Sequence, residues 1–263
     1  MLLTAISNEI EPWMKTKDTL PELPVRIGLI GVGKWGQNYK RIFKELDIPV
    51  VTCDLNGGED TKNYWDILKD CGIKAIVIAT PPETHADIVL HALTMKKDVL
   101  VEKPLAIDIS QAQELKSKIG NQVLMVGHLL HYHSEAEALK DKAARAGIKK
   151  VLLRGVKNEP ARKDDVVWAL APHLMSFALS FAEPSQIESF FSFKGTKREN
   201  SIEIVGEDNF TIDWTQAEGG DLLKEEVKHF LHCVRTREKP LTDVEDGIKT
   251  LQCLISYKEN LKS

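Results

Sequence analysis

Three glycines set the first chemical possibility. The stretch Gly31-Val32-Gly33-Lys34-Trp35-Gly36 places them at the G-x-G-x-x-G spacing. A short apolar run, Val25-Arg26-Ile27-Gly28-Leu29-Ile30, comes just before, and helical spacing follows. In that setting Gly31 can take a tight turn, Gly33 can let backbone approach a pyrophosphate, and Gly36 can permit close helix–strand packing. The helix N-terminus then offers N–H groups to phosphates, with Lys34 and Trp35 at hand in the loop. An ordinary strand-to-helix turn is the plain alternative, and three glycines in this order weigh against it. Asp54 ends the next strand, 18 positions after Gly36. An acid there accepts hydrogen bonds from ribose hydroxyls and repels a 2′-phosphate. Since Leu55, Asn56 and Gly57 follow without a cation, NAD is expected over NADP. A turn aspartate on the surface is the alternative.

These residues need a scaffold, and the hydrophobic pattern supplies one. Residues 34–46 carry Tyr39, Ile42, Phe43 and Leu46 on one helical face. Val50-Val51-Thr52-Cys53 reads as a strand, residues 64–71 as a short helix, and Ala75-Ile76-Val77-Ile78-Ala79 as a buried parallel strand. Residues 84–93 are helical, 98–102 a strand, 110–119 a helix with Ser110 as N-cap, and 123–127 a strand. This alternation predicts an α/β fold with a doubly wound parallel sheet and ligands at the carboxyl ends of its strands.

After Gly127 the rhythm changes. A helix is expected over 135–146, then strands at 151–156, 187–193, 201–205 and 210–214, and helices over 222–236 and 244–261. Most of these strands lack intervening helices, which predicts a mostly antiparallel open sheet in a trimmed second α/β domain. The expected divisions are an N-terminal arm at 1–24, a dinucleotide-binding Rossmann domain at 25–127 and a substrate and oligomerisation domain at 128–263. Pro12, Pro21 and Pro24 mark the arm as a surface appendage.

Composition bounds the partners. The chain of 263 residues has 35 Lys and Arg against 39 Asp and Glu, a net charge of -4. No basic block suggests nucleic acid, and no apolar stretch approaches the ~20 residues of a membrane span. The N-terminal apolar run is short and soon acidic, unlike a signal peptide, so a cytoplasmic protein is expected. Cys53, Cys71, Cys233 and Cys253 show no metal-type spacing and read as buried, reduced thiols. His128, His131 and His133 lie close together, and on a continuing strand His131 and His133 would share a face. No carboxylate or Cys completes a set, so no metal is expected. His131 and Tyr132 are candidate substrate contacts, with core packing the alternative for Tyr132.

Two more stretches bring a family into view. Ala79-Thr80-Pro81-Pro82-Glu83-Thr84-His85 and Glu102-Lys103-Pro104, taken with the glycine motif, resemble the glucose–fructose oxidoreductase / inositol dehydrogenase / MocA (Gfo/Idh/MocA) family. The segment Lys239-Pro240-Leu241-Thr242-Asp243-Val244-Glu245-Asp246-Gly247 is similar to its C-terminal signature. The resemblance runs from Val25 over nearly the whole chain. It implies that Thr80, Pro81, His85 and Glu102 line the cofactor and that Lys103 lies near the nicotinamide, with Lys103-Pro104 cis. It implies a homodimer or higher homo-oligomer built on the second sheet. It implies an NAD-dependent oxidoreductase acting on a secondary alcohol or ketone carbon of a sugar, cyclitol or nucleotide sugar.

The catalytic pair implied is Lys103 and His173. A lysine beside a cationic ring, or partly desolvated, gives up its proton more readily and can hydrogen-bond a reacting oxygen. Family members usually carry a histidine at a helix start in the second domain. Trp168-Ala169-Leu170-Ala171-Pro172-His173 is the matching stretch, with Pro172 suited to a first turn. A neutral imidazole there can take a hydroxyl proton as hydride leaves the same carbon. The family often has an aspartate four residues earlier, where this chain has Ala169, and an acid where it has Leu174; Asp164 and Asp165 stand further upstream. That departure keeps open a non-catalytic dinucleotide-binding regulator or sensor, and a reductase of an imine or pyrrole-like double bond.

Overall fold

The computed structural model describes residues 26–57, 59–158, 166–192, 194–214 and 221–260. The arm expected at 1–24, with Asp164 and Asp165, lies outside the described residues.

Five parallel strands form the first sheet: β1 (Arg26–Ile30), β2 (Val50–Cys53), β3 (Ile73–Ile78), β4 (Asp98–Glu102) and β5 (Leu124–Gly127), in the order β2-β1-β3-β4-β5. The inner strands are apolar on both faces because helices cover both. Helix α1 (Gly36–Glu45) buries Tyr39, Ile42 and Phe43, one turn apart along a single stripe. The chain continues through α2 (Tyr64–Lys69), α3 (His85–Thr94) and α4 (Ile109–Lys118). Helix α4 is capped by Asp108, whose carboxylate accepts from the Ser110 and Gln111 amides, so Ser110 lies inside the helix rather than at its cap. Asp108 can reach back to those orphan amides from its extended backbone position.

The run 128–133 does not continue β5. It folds into a 3₁₀ turn over Leu129–Tyr132, which sends the three histidines to different surroundings instead of alternating them on a strand. Helix α5 (Ala136–Arg145) follows. The second sheet comprises β6 (Lys150–Asn158), β7 (Ile187–Ser192), β8 (Lys194–Val205) and β9 (Phe210–Asp213) in the order β7-β6-β8-β9. Pairs β6–β8 and β8–β9 are antiparallel. The β6–β7 pair is parallel because α6 (Val166–Ala178) carries the chain back between them. Strand β8 starts earlier than its apolar stretch suggests, since its first half is polar and pairs at the far end of β6.

The inner face of this sheet presents Val151, Leu153, Ile202, Ile204 and Ile212 to Ala171, Leu174, Phe177 and Ala178 of α6. Leu174, where an acid is usual in the family, is fully buried in this layer. Two C-terminal helices return to the first sheet. Helix α7 (Leu222–Thr236) places Leu223, Val227, Phe230 and Val234 in one core with Tyr39, Phe43 and Met125. Helix α8 (Val244–Asn260) packs on α4, α6 and β5. The boundary read at 127 therefore separates the sheets but not the helices, because the apolar stripes of α7 and α8 find partners on the Rossmann side. Before α8, Thr242 accepts from the Val126 amide at 2.8 Å and covers the β5 edge. Of the cysteines, Cys53 and Cys233 are buried and Cys253 is half-buried, whereas Cys71 is exposed at the turn after α2.

Candidate active site

The strand order reverses between β1 and β3, the point where ligands bind in such sheets. The glycine turn leaves β1 there. Gly31 has φ of +91°, and a Cβ on it would press against the Ala79 carbonyl at 2.7 Å. A Cβ on Gly36 would collide with the Gly31 carbonyl, so both positions need glycine. At Gly33 a Cβ would meet nothing within 4 Å. That backbone faces open space, as a cradle for an approaching phosphate requires. No side chain caps the first turn of α1; the Gln37 and Asn38 amides already donate to the Gly33 and Trp35 carbonyls, so an anion would be met by the earlier amides of the glycine loop. Lys34 and Trp35 are exposed beside this opening. The residues present fit a dinucleotide.

Asp54 ties the cradle to β2. Its Oδ2 accepts from the Val32 amide at 2.8 Å and its Oδ1 from the Asn56 amide at 2.9 Å. The Asn56 and Val32 amides hold the carboxyl below its usual range, in that order of weight. The Asn56 side-chain amide also donates to Oδ1 at 3.1 Å, which leaves about one of the four lone-pair sites for a ribose hydroxyl. Glu59 and Asp60 lie on the same loop, and the nearby cation Lys40 is already engaged with Glu59 at 2.6 Å. A 2′-phosphate would meet negative charge here.

The loops after β3 and β4 form the opposite wall. His85, only 1% exposed, joins them. Its Nδ1 is 2.7 Å from the Pro104 carbonyl and its Nε2 is 2.9 Å from the Thr80 carbonyl. It therefore stands behind the lining, while Thr80 and Pro81 reach the surface of the loop. The Lys103-Pro104 peptide is cis. Glu102 accepts from the Trp35 indole N–H, from Tyr39 Oη at 2.7 Å and from the Lys103 amide at 3.2 Å. Lys103 is half-buried at the carboxyl end of β4.

His173 is half-buried, but it lies well inside α6 with Pro172 also internal, not at a helix start. The positive end of the helix dipole fades within the first turn, so it does not act on this ring. Ala169 stands four residues before His173 in this helical segment. The His173 ring meets His128 edge-on with centroids 6.0 Å apart. His128 is buried, and burial, with the Lys103 charge second, pushes its pKa down to about 3. His173 thus meets a buried imidazole that also feels the Lys103 charge.

The other histidines do not join them. His131 Nε2 lies 2.9 Å from Ser176 Oγ and its ring packs on Phe177. His133 packs on Trp214 and accepts from the Glu135 amide at 3.2 Å. Tyr132 is 1% exposed, its hydroxyl beside Thr242 and Met125. His131 and Tyr132 are interior residues here, not side chains on an open cleft. Among the described residues, no three His, Cys, Asp or Glu side chains gather to hold a metal ion. No described helix is long and apolar enough to cross a membrane.

Sequence reading did not single out His128 as a neighbour of the catalytic candidates, nor Tyr39 and Glu226. The signal for Glu226 was present. It sits among Leu223, Val227 and Phe230 on the apolar stripe of α7, where an acid is out of pattern.

A glycine turn that fits a dinucleotide on a Rossmann sheet, with a lysine at a neighbouring strand end, is the arrangement on which the comparisons bear. Residues 25–128 match the model of the oxidoreductase family with an NAD-binding Rossmann fold. The match covers the dinucleotide-binding part of the chain, and that part is similar to the glucose–fructose oxidoreductase / inositol dehydrogenase / MocA family. The inositol 2-dehydrogenase of Rubrobacter xylanophilus is 34% identical over a match that covers 50% of this chain and 43% of the relative. Matches to similar curated relatives span 38% to 43% of their own length. The fold likeness extends over both sheets. A UDP-N-acetylglucosamine 3-dehydrogenase from Acidithiobacillus ferrooxidans superposes with a TM-score of 0.77 at 17% identity, covering 89% of this chain and 96% of that one. The myo-inositol dehydrogenase from Lactobacillus casei, solved with NAD(H) and myo-inositol, gives 0.74 at 16% identity, covering 91% and 95%.

Proposed function

We propose that the protein is an NAD-dependent oxidoreductase that moves hydride to or from a secondary alcohol carbon of a sugar, cyclitol or nucleotide sugar. What supports this reading is that the His173 ring meets the buried His128, whose imidazole also feels the Lys103 charge, while the Lys103 amide donates to Glu102. NAD, when bound, supplies the hydride acceptor. Gly31, Gly33, Lys34, Trp35 and Gly36 would hold its pyrophosphate side, Asp54 its adenosine ribose, and Thr80, Pro81 and Glu102 the opposite wall. Lys103 orients the substrate hydroxyl by hydrogen bonding to its oxygen. His173 takes the hydroxyl proton as the C–H bond gives up its electron pair; in the reductive direction it returns that proton. The similarity to an inositol 2-dehydrogenase and the fold shared with a UDP-N-acetylglucosamine 3-dehydrogenase support the polyol class.

Ala169 favours the second reading, a dinucleotide-binding sensor, because no acid stands one turn before His173 to orient it. Turnover separates the two. NADH titration by calorimetry and a panel of polyols and nucleotide sugars should show binding and reduction of NAD. The variants Lys103→Ala and His173→Ala should each bind NADH but lose about 10²-fold or more in kcat, the usual worth of a proton-transfer group. Binding without turnover on any panel member gives the sensor reading; no binding at all removes both.

A further inference from the structure

We propose that Glu226 is a positioning residue of the dinucleotide site: a neutral carboxylic acid that donates to Tyr39, which in turn donates to Glu102 and steadies Trp35 and Lys103. This rests on the reading of the cleft as a cofactor site. Tyr39 Oη lies 2.7 Å from Glu102 Oε1 and 3.2 Å from Glu226 Oε2. A phenol carries one proton and can donate to only one of these oxygens. Glu102 is the acceptor end, since the Trp35 indole N–H and the Lys103 amide also converge on it. The contact with Glu226 is then a hydrogen bond only if Glu226 holds the proton and Tyr39 Oη accepts it.

The surroundings of Glu226 agree. It is 0% exposed, and its Oε1 has no hydrogen-bond partner. An unpartnered oxygen is a modest cost for a neutral acid and a large one for an ionised carboxylate. The groups that face it are Tyr39 from α1, Glu102 from β4, the His128 amide beyond β5 and, farther off, the Tyr132 hydroxyl. None of these is a cation at neutral pH. Burial, then the Glu102 charge, pushes the carboxyl well above the usual range, outweighing the Tyr39 hydroxyl and the His128 amide. The role is one of position, since Glu226 reaches the cleft only through Tyr39.

The proton and its consequence can be read separately. Infrared spectra of the cofactor-free protein at pH 7 should show a protonated-carboxyl C=O band in wild type that is missing in Glu226→Gln. In NADH titrations, Tyr39→Phe and Glu226→Ala should each weaken binding about tenfold, the scale of a hydrogen bond relayed to a charged group. Glu226→Gln, whose amide still donates to Tyr39 Oη, should recover most of that loss. Wild-type affinity should fall at alkaline pH, where Glu226 loses its proton, and Glu226→Gln should lack that fall. Absence of the band, or a glutamine variant as weak as the alanine one, overturns the proposal. A wild type that binds no NADH overturns the cofactor reading and the positioning role together, while the infrared band still reports the proton by itself.

Discussion

Asp54 does two jobs with one carboxylate. It fixes the glycine turn through the Val32 amide, and in the proposed function its remaining acceptor site would take a ribose hydroxyl. Replacing it by alanine removes both. NAD affinity should fall about tenfold or more, in line with loss of hydrogen bonds to a charged group. The ratio of NAD to NADP affinity should narrow as the charge repulsion disappears. Calorimetry with both cofactors checks this, and an unchanged ratio would take cofactor selection away from Asp54. Residue identity alone pointed to Asp54, the glycines and Lys103 because each belongs to a short local motif. It could not point to Tyr39 or Glu226, 187 residues apart in the chain, whose meaning comes from their meeting.

At the scale of elements, the start of α8 shows how a capping pattern can carry a titration. Asp243 Oδ1 accepts from the Glu245 and Asp246 amides, and the Asp243 amide donates back to Asp246 Oδ2 at 3.0 Å. Burial and the neighbouring Asp243 push the Asp246 carboxyl up to about 6. A raised carboxyl favours the folded state when protonated, so its contribution is present below the usual aspartate range and lost as pH rises through about 6. Asp243 is shifted the other way; burial opposes ionisation there, but Lys239 and the Asp246 amide outweigh it. Its contribution appears above the usual range and partly offsets that loss. Asp246→Asn keeps an acceptor for the Asp243 amide and removes the charge. Relative to wild type it should gain about 1 kcal/mol between pH 4 and pH 7, a figure reduced from the full shift because the group is partly solvated. Urea unfolding at the two pH values measures it; a constant difference between the proteins would refute the assignment. Element types were readable wherever an apolar stripe or a capping residue was local. The start of α6 was not, because proline at 172 suggests a first turn while packing against the second sheet extends the helix back to Val166.

At the scale of the whole molecule, the second sheet turns one face to α6 and the other outward. The outer face carries Phe190, 51% exposed, with the Arg154 guanidinium 5.3 Å from its ring centroid. We infer that this face joins copies of the chain into a homo-oligomer. Sedimentation velocity should show a dimer or larger species, and Phe190→Glu should shift it toward monomer without unfolding it. A wild-type monomer at micromolar concentration would remove this inference.

What the sequence by itself determined is the class of the fold and the glycine turn at the switch point of its first sheet. Strand-and-helix periodicity and a glycine motif are local properties, and local properties survive without knowledge of contacts. The tertiary structure decided the rest. It bent 128–133 into a turn that put His128 against His173, seated α7 on the Rossmann core, and brought Glu226 to within reach of Tyr39 and so to Glu102. Those are long-range meetings of buried polar groups. Nothing local specifies them, since their energies depend on desolvation and on which partner arrives from a distant part of the chain.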